Sequence, residues 1–107
     1  MNAFVLSPYA EKDLESIYLY TVKNHGLEQL DVYANKIDLA IHEITQDPLR
    51  SGSKARNDLV NGCRFYRVGH HYLAYRVKKD CVEIGRILHA SMNFEDHVSD
   101  EVFQSGG

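Results

Sequence analysis

The sequence predicts an α+β domain with the element order β-α-α-β-β-β, in which a helical hairpin packs on one face of a mainly antiparallel four-stranded sheet. Three observations predict this fold class: two long stretches with apolar residues every three or four positions, three later runs rich in Tyr, Phe, Val and Ile, and very short connections within each group. A chain of 107 residues suits one domain and leaves no room for a second. We therefore expect a single domain over residues 1–98 and a flexible tail over residues 99–107.

The first strand leads directly into the first helix. Residues 4–7 form a short, mostly apolar run that predicts a strand. The Ser7–Pro8 pair is a strong helix start, because serine caps free N–H groups and proline fits the first helical position. The apolar stripe of this helix continues until Gly26 supplies a C-terminal stop. The first helix is therefore predicted over residues 8–24.

A second helix follows after only a few residues. Its apolar positions repeat the helical period and include Leu30, Ile37, Ile41 and Ile44, and the helix is expected to end before Pro48. A link of a few residues forces two long helices to turn back on each other. The two helices are therefore predicted to form an antiparallel hairpin.

The second half of the chain predicts a loop and then a three-stranded meander. Residues 48–62 have no apolar period and are rich in Gly, Ser and Asn, which is typical of a loop. Residues 63–68, 72–77 and 81–88 are strand-like, and Gly85 in the last of them indicates a β-bulge. Alternation along the strands lets one sheet face pack on the helices, and we expect the other face to stay polar.

The formal net charge of −3 conceals an uneven distribution along the chain. Residues 1–49 carry three lysines and eight acidic residues, residues 50–89 carry nine basic and three acidic residues, and residues 90–107 carry four acidic residues and no basic one. A basic block between acidic flanks can bind nucleic acid or an acidic peptide from a partner. The alternative is that these charges only solvate an exposed sheet face.

Several protein classes are excluded or disfavoured by the sequence. No apolar run approaches the roughly 20 residues that span a membrane, so we expect a cytoplasmic protein with no membrane association. Cys63 and Cys81 lack the spacing of a disulfide framework or a zinc site and are expected to be buried free thiols. The sequence contains no nucleotide-binding, hydrolase or metal motif, so no cofactor and no metal are expected.

One group of residues on the predicted strands could cleave RNA. It consists of Arg64, Arg67, Arg76, Arg86 and His89, with Lys54 and Arg56 on the preceding loop. Histidine can act as a general acid or base near neutral pH, and arginine can bind phosphate. Strand alternation, however, places Arg64 and Arg67 on opposite faces of the sheet. If the protein is a nuclease, Arg86 and His89 are the catalytic candidates; otherwise the arginines shield sheet edges or pair with acidic residues.

Four segments in order resemble one known family. They are Leu6-Ser7-Pro8-x-Ala10-x-x-Asp13-Leu14-x-x-Ile17, the Gly26 hinge with Tyr33 beyond it, Arg67-Val68-Gly69-x-His71-x-x-x-Tyr75-Arg76-Val77, and Glu83-Ile84-x-Arg86-Ile87-Leu88-His89-x-x-Met92-Asn93. Together they resemble the ParE toxins of the RelE/ParE superfamily over residues 4–97. The resemblance implies the RelE/ParE-like fold and the toxin of a bacterial type II toxin–antitoxin module, linked to plasmid maintenance and stress response.

The resemblance also implies a partner and a target. ParE toxins are neutralised by a ParD-like antitoxin and block replication by acting on DNA gyrase, without an established catalytic residue. RelE-like relatives instead cut messenger RNA on the ribosome and are usually strongly basic. A net charge of −3 suits an RNA-filled site poorly, which favours the gyrase inhibitor over an enzyme, with no direct sequence-specific binding of nucleic acid. An RNA-cleaving toxin and an inactive homologue that only binds an antitoxin remain the alternatives.

Two sets of binding residues follow from these expectations. For the antitoxin we expect a surface formed by Tyr18, Tyr20, Arg67 and Arg76, because tyrosine suits interfaces and arginine suits acidic partners. For the target we expect the end of the last strand and the residues after it: Arg86, His89, Met92, Asn93 and Phe94. The alternative for Met92 and Phe94 is that they fold back and cap the core.

Overall fold

The computed structural model describes residues 3–103. Its elements in chain order are β1 (Phe4–Leu6), α1 (Pro8–Gln46), β2 (Lys54–Ala55), β3 (Cys63–Val68), β4 (His71–Val77) and β5 (Val82–His89), followed by 3₁₀ turns at Phe94–Asp96 and Asp100–Phe103. The predicted α+β class and the order of its main elements are confirmed. Among the described residues, no helix combines the length and apolar character needed to cross a membrane.

The sheet has five strands in the order β1-β5-β4-β3-β2, rather than the four predicted. β1 lies parallel to β5, and the other neighbours are antiparallel. The additional strand is β2, whose Lys54 and Ala55 pair with Phe65 and Arg64 within the segment predicted as a loop. Two residues are too short to show a strand period, so the sequence gives no signal for β2.

Helix α1 is bent at Gly26 into the two arms of the predicted hairpin. A straight helix of 39 residues would be about 58 Å long, whereas the greatest extent of the molecule is 38 Å. Gly26 has φ 88° and ψ 171°, which lie outside the helical region and suit glycine. One residue therefore separates the first arm (residues 8–25) from the second arm (residues 27–46).

Ser7 caps the start of α1, as predicted, and also joins the helix to β5. Its Oγ accepts a hydrogen bond of 3.0 Å from the Ala10 N–H and donates one of 2.6 Å to the Gly85 carbonyl. Its own N–H donates to the Ile84 carbonyl at 2.9 Å. Because Ser7 is buried, each of these polar groups needs its protein partner.

The predicted β-bulge at Gly85 is confirmed. Ala74 of β4 pairs with Arg86 and Tyr75 pairs with Ile84, so Gly85 is the extra residue on β5. A Cβ atom at Gly85 would lie 2.7 Å from Cε1 of Phe103. The absence of a side chain thus lets the Phe103 ring pack directly on the strand.

The sheet is covered on both faces. Between α1 and the sheet lies a first core whose buried members include Ile17, Ile37, Ile41, Leu73 and Tyr75. On the opposite face lies a second core formed by Val60, Cys63, Phe65, Ala74, Leu88, Val98, Val102 and Phe103. The expectation that this opposite face stays polar was therefore wrong, because apolar side chains from residues 94–103, here called the C-terminal segment, pack against it.

The end of the described chain also differs from the predicted flexible tail. Of the predicted tail over residues 99–107, residues 100–103 form a 3₁₀ turn in which Val102 and Phe103 are almost fully buried. Residues 104–107 lie outside the described residues. A single 3₁₀ turn has too few residues for an apolar period, so composition alone gave the impression of a solvated end.

Candidate functional site

Arg86, predicted as a target contact, is part of the fold. Its Nε and Nη2 donate hydrogen bonds of 2.8 and 2.9 Å to the two carboxylate oxygens of Asp13, and Nη1 donates one of 3.3 Å to the His97 carbonyl. The side chains of Arg86 and Asp13 are 17% and 14% exposed. Arg86 therefore ties β5 to the first arm of α1 and to the C-terminal segment.

The other predicted target residues divide between the surface and the second core. Phe94 is half-buried, with its ring 4.9 Å from the Phe65 ring and 5.5 Å from the Tyr72 ring. It caps the second core, as the alternative interpretation held. Met92 is 39% exposed and Asn93 is exposed, so neither contributes to this cap.

The two arginines predicted to bind an antitoxin lie far apart. Arg67 is exposed near the end of β3, where its guanidinium lies 5.5 Å from the Tyr72 ring centroid and its Nε donates to the Gly69 carbonyl at 2.9 Å. Arg76 pairs with Cys63, at the opposite end of the β3–β4 ladder. The structure therefore does not bring these two arginines into one surface.

Arg76 is held at the second core. Its Nη2 lies 3.6 Å from the fully buried carboxylate of Glu83 and donates a hydrogen bond of 3.0 Å to the Phe103 carbonyl. The guanidinium also lies over the Phe103 ring, 5.0 Å from its centroid. These contacts give Arg76 a structural role beneath the C-terminal segment.

The two tyrosines predicted for the same surface differ in exposure. Tyr18 is half-buried against the first core, and this burial, with the charge of Asp38, raises the pKa of its hydroxyl. Tyr20 is 64% exposed on the first arm of α1. Only Tyr20 and Arg67 of the four predicted antitoxin contacts are thus presented to a partner.

An open groove collects four of the six histidines of the chain. It has a volume of about 740 Å³ and lies between the hinge of α1, the β3–β4 turn and the end of β5. Its histidines are His25, His70, His71 and His89. We call this site the histidine groove. Within residues 3–103, no three His, Cys, Asp or Glu side chains are arranged to hold a metal ion.

Tyr33 fixes the inner wall of the histidine groove. Its Oη lies 2.5 Å from Nδ1 of His71, accepts a hydrogen bond of 3.2 Å from the His70 N–H, and donates one of 3.2 Å to the Val68 carbonyl. Through these contacts the second arm of α1 is joined to the β3–β4 turn.

Gly69 makes this contact possible. Its φ of 57° is in the left-handed region, and a Cβ atom there would lie 2.7 Å from Cε1 of Tyr33 and 2.9 Å from its Oη. Both the backbone conformation and the close approach therefore require glycine at this position.

The inner wall of the groove is neutral at neutral pH. Burial, and next the electrostatic interaction with the neighbouring His89 and His70, lowers the pKa of His71 from 6.5 to about 4. Burial also raises the pKa of the Tyr33 hydroxyl. His71 and Tyr33 therefore act as uncharged hydrogen-bonding groups rather than as an ion pair.

His89 lies at the rim of the groove and has one ring nitrogen engaged. Its Nδ1 accepts a hydrogen bond of 3.1 Å from the Ser91 N–H and lies 2.7 Å from Ser91 Oγ. The neutral ring therefore carries its proton on Nε2. The His89 ring is 5.2 Å from the His71 ring and 6.3 Å from the His70 ring.

The sequence pointed to His89 but not to the groove around it. The groove is assembled from α1 and from strands far along the chain, so its residues show no common spacing. The adjacent His70 and His71 both line the groove, because His71 begins β4 and His70 lies in the turn before it. The joint presence of Gly26, Tyr33 and His71 in the quoted family pattern was the available signal.

Residues 4–94 match the model of a family described as ParE toxin of type II toxin-antitoxin system, parDE. Toxin ParE1 of Caulobacter vibrioides is 35% identical over 98 residues, which are 92% of this chain and 99% of that protein. Toxin ParE1 of Mycobacterium tuberculosis is 31% identical over 95 residues, which are 88% of this chain and 95% of that protein.

Two solved structures share the fold. The structure of a chromosomal ParDE TA system from P. aeruginosa matches with a TM-score of 0.71 at 22% identity, over 83% of this chain and 96% of that one. The toxin-antitoxin complex RelBE2 from Mycobacterium tuberculosis matches with a TM-score of 0.58 at 23% identity, over 82% and 96%. These likenesses confirm the fold predicted from the sequence.

Proposed function

The chain belongs to the ParE toxin family of type II toxin–antitoxin systems, and we propose that it inhibits DNA gyrase and is neutralised by a ParD-like antitoxin. Such a toxin acts by binding its target rather than by cleaving RNA.

The observation that carries this proposal is the engagement of the sheet arginines with the protein itself. Arg86 binds Asp13, Arg76 binds Glu83 and Phe103, and Arg64 donates hydrogen bonds to Ser53. An RNA-cleaving site needs cationic groups free to hold phosphate and to stabilise the charge of the transition state. Arginines held in this way favour a toxin that acts through its surface.

The face of the sheet opposite α1 is covered, which further supports binding over cleavage. The C-terminal segment packs Phe94, Val98, Val102 and Phe103 against it. A nucleic-acid strand could reach the backbone of β3, β4 and β5 on this face only if the segment moved away.

For contact with gyrase we propose the surface formed by His89, Met92 and Asn93. All three are exposed and lie where β5 passes into the C-terminal segment. Arg86 and Phe94, also expected in this set, would act indirectly by holding β5 and the segment in place.

For the antitoxin we propose a surface that includes Tyr20 and Arg67 and a free edge of the sheet. The P. aeruginosa and M. tuberculosis structures similar to this chain are of toxin–antitoxin systems. β1 and β2 are the edge strands, so an extended antitoxin segment could add a strand to either of them. Exposed apolar residues on the arms of α1, Leu19, Val32 and Leu39, would suit an amphipathic helix.

Gyrase contact is tested by Met92→Ser in a supercoiling assay with purified gyrase and relaxed plasmid. Met92 is exposed, so we expect weaker inhibition with unchanged thermal stability. The matched control is Leu49→Ser. Leu49 is also exposed (70%), but it lies beside Ala55 and Val77 and is not part of the proposed gyrase surface. Equal inhibition by both variants and the parent would show that Met92 does not contact gyrase.

Antitoxin contact is tested by Arg67→Glu, with the dissociation constant for a ParD-like antitoxin as the readout. Reversing the charge should raise the dissociation constant for an acidic antitoxin segment by about tenfold or more. Lys79→Glu makes the same change in net charge at an exposed lysine between β4 and β5 and should leave the constant nearly unchanged. An equal effect of the two variants would indicate general electrostatics rather than a contact at Arg67.

A further inference from the structure

We propose that the histidine groove is a binding site for a small phosphate-bearing ligand of the nucleotide class. The groove shares Tyr20 with the proposed antitoxin surface and His89 with the proposed gyrase surface, but its ligand binding can be tested on the isolated protein. It does not rest on gyrase inhibition.

The first support is the charge of the groove lining. The chain has 15 acidic residues and a net charge of −3, yet none of the described residues lining the groove is Asp or Glu. Lys36 and four histidines line it instead. His71 is uncharged at neutral pH, so Lys36 supplies the positive charge of a concave surface that carries no carboxylate, and such a surface attracts anions.

The second support is the availability of hydrogen-bond donors. Lys36 is exposed, and no ion pair found among the described residues involves it. His89 retains Nε2–H as its ring donor, because Nδ1 accepts the Ser91 N–H. Ser16, whose hydroxyl can also donate, lines the groove as well. Phosphate oxygens accept from all of these donor types.

The third support is the rigidity of the inner wall. Tyr33 is held by contacts with His71, His70 and Val68, and Gly69 allows its close approach. A preorganised wall lowers the entropy cost of binding a small ligand.

The fourth support points to an aromatic base as well as a phosphate. Tyr20 and His25 line the outer part of the groove, with ring centroids 6.2 Å apart in an edge-to-face arrangement. Tyr20 is 64% exposed, so its ring is available for stacking with a planar base. The volume of about 740 Å³ is in the range of small-molecule sites.

The test is an NMR titration of the six histidine rings with ATP, inorganic pyrophosphate and adenosine as separate probes. We expect ATP to shift the signals of His25, His70 and His89, while His42 and His97, which do not line the groove, stay unchanged. Pyrophosphate should shift the same signals with weaker affinity, because it lacks the base. Adenosine should bind most weakly of the three.

Lys36→Gln tests the phosphate contact directly. Since Lys36 is exposed, the variant should fold normally and raise the ATP dissociation constant by about fivefold. Lys79→Gln removes the same charge outside the groove and should change it little.

Three results would show that the groove does not bind a phosphate-bearing ligand. They are no shift at millimolar ATP, equal shifts at all six histidines, and equal ATP affinity of the Lys36→Gln and Lys79→Gln variants. ATP affinity no greater than that of pyrophosphate would exclude the nucleotide class.

Discussion

The carboxylate of Asp13 accepts two hydrogen bonds of 2.8 and 2.9 Å from the guanidinium of Arg86, which joins the start of α1 to strand β5. The same carboxylate accepts the Ile87 N–H at 2.9 Å. An arginine that sequence reasoning assigns to a target surface is thus a fixed part of the framework. The exposed residues that follow it depend on that framework for their position.

Asp13→Asn should destabilise the protein substantially. The substitution leaves the largely buried Arg86 without its anionic partner, at a cost of about 3 kcal/mol in the free energy of unfolding measured with urea. Asp58→Asn is the matched control, because Asp58 pairs with Arg56 while 61% exposed, and it should cost under about 1 kcal/mol. Similar losses in the two variants would show that the Asp13–Arg86 pair is not buried as described.

Phe103→Ala should test whether the C-terminal segment belongs to the folded core. Phe103 is 1% exposed and packs on Gly85, so its truncation should cost about 3–4 kcal/mol in urea unfolding. Leu49→Ala, at a position 70% exposed, should cost under about 0.5 kcal/mol. If Phe103→Ala lowers the free energy of unfolding as little as the control does, this part of the chain is the flexible tail predicted from the sequence.

His71 should make stability depend on pH in a defined window. Its pKa is about 4 in the folded protein and 6.5 when unperturbed, so the unfolded chain binds the proton first as the pH falls. The stability it contributes is therefore complete above about pH 6.5 and is lost towards pH 4, by about 1–2 kcal/mol after allowing for its partial exposure. Tyr33, His70, His89 and Asp13 are the groups that act on it.

The measurement for His71 compares urea unfolding of the parent and His71→Gln across that window. The stability difference between the two should shrink as the pH falls from 7 to 4.5, since only the parent carries the protonation cost. His42→Gln, at an exposed helical position, should show a constant difference from the parent. A constant difference for His71→Gln as well would contradict the depressed pKa.

Much of the fold could be predicted because its signals are local. The Ser7 cap, the Gly26 break and the Gly85 bulge each depend on the conformational preference of one or two residues. β2 and the final 3₁₀ turn could not be predicted, since neither is long enough to repeat a hydrophobic pattern. Their positions depend on partners far along the chain, such as Phe103 on Gly85.

Less of the site could be predicted, because burial decides what a side chain can do. Arg67 and Arg76 look equivalent in the sequence, yet one is exposed and the other pairs with a buried carboxylate. In the histidine groove Tyr33 contacts His71, which lies 38 residues further along the chain, and no spacing rule predicts such a contact. Alternation along β5 likewise does not reveal that Asp13 reaches Arg86.

The most direct test of the central proposal is one toxin preparation in two assays: supercoiling of relaxed plasmid by purified gyrase, and cleavage of messenger RNA on programmed ribosomes. We expect inhibited supercoiling or trapped cleaved DNA while the messenger RNA stays intact. Cut messenger RNA with normal supercoiling would contradict the proposal and make Arg86 and His89 candidates for catalysis.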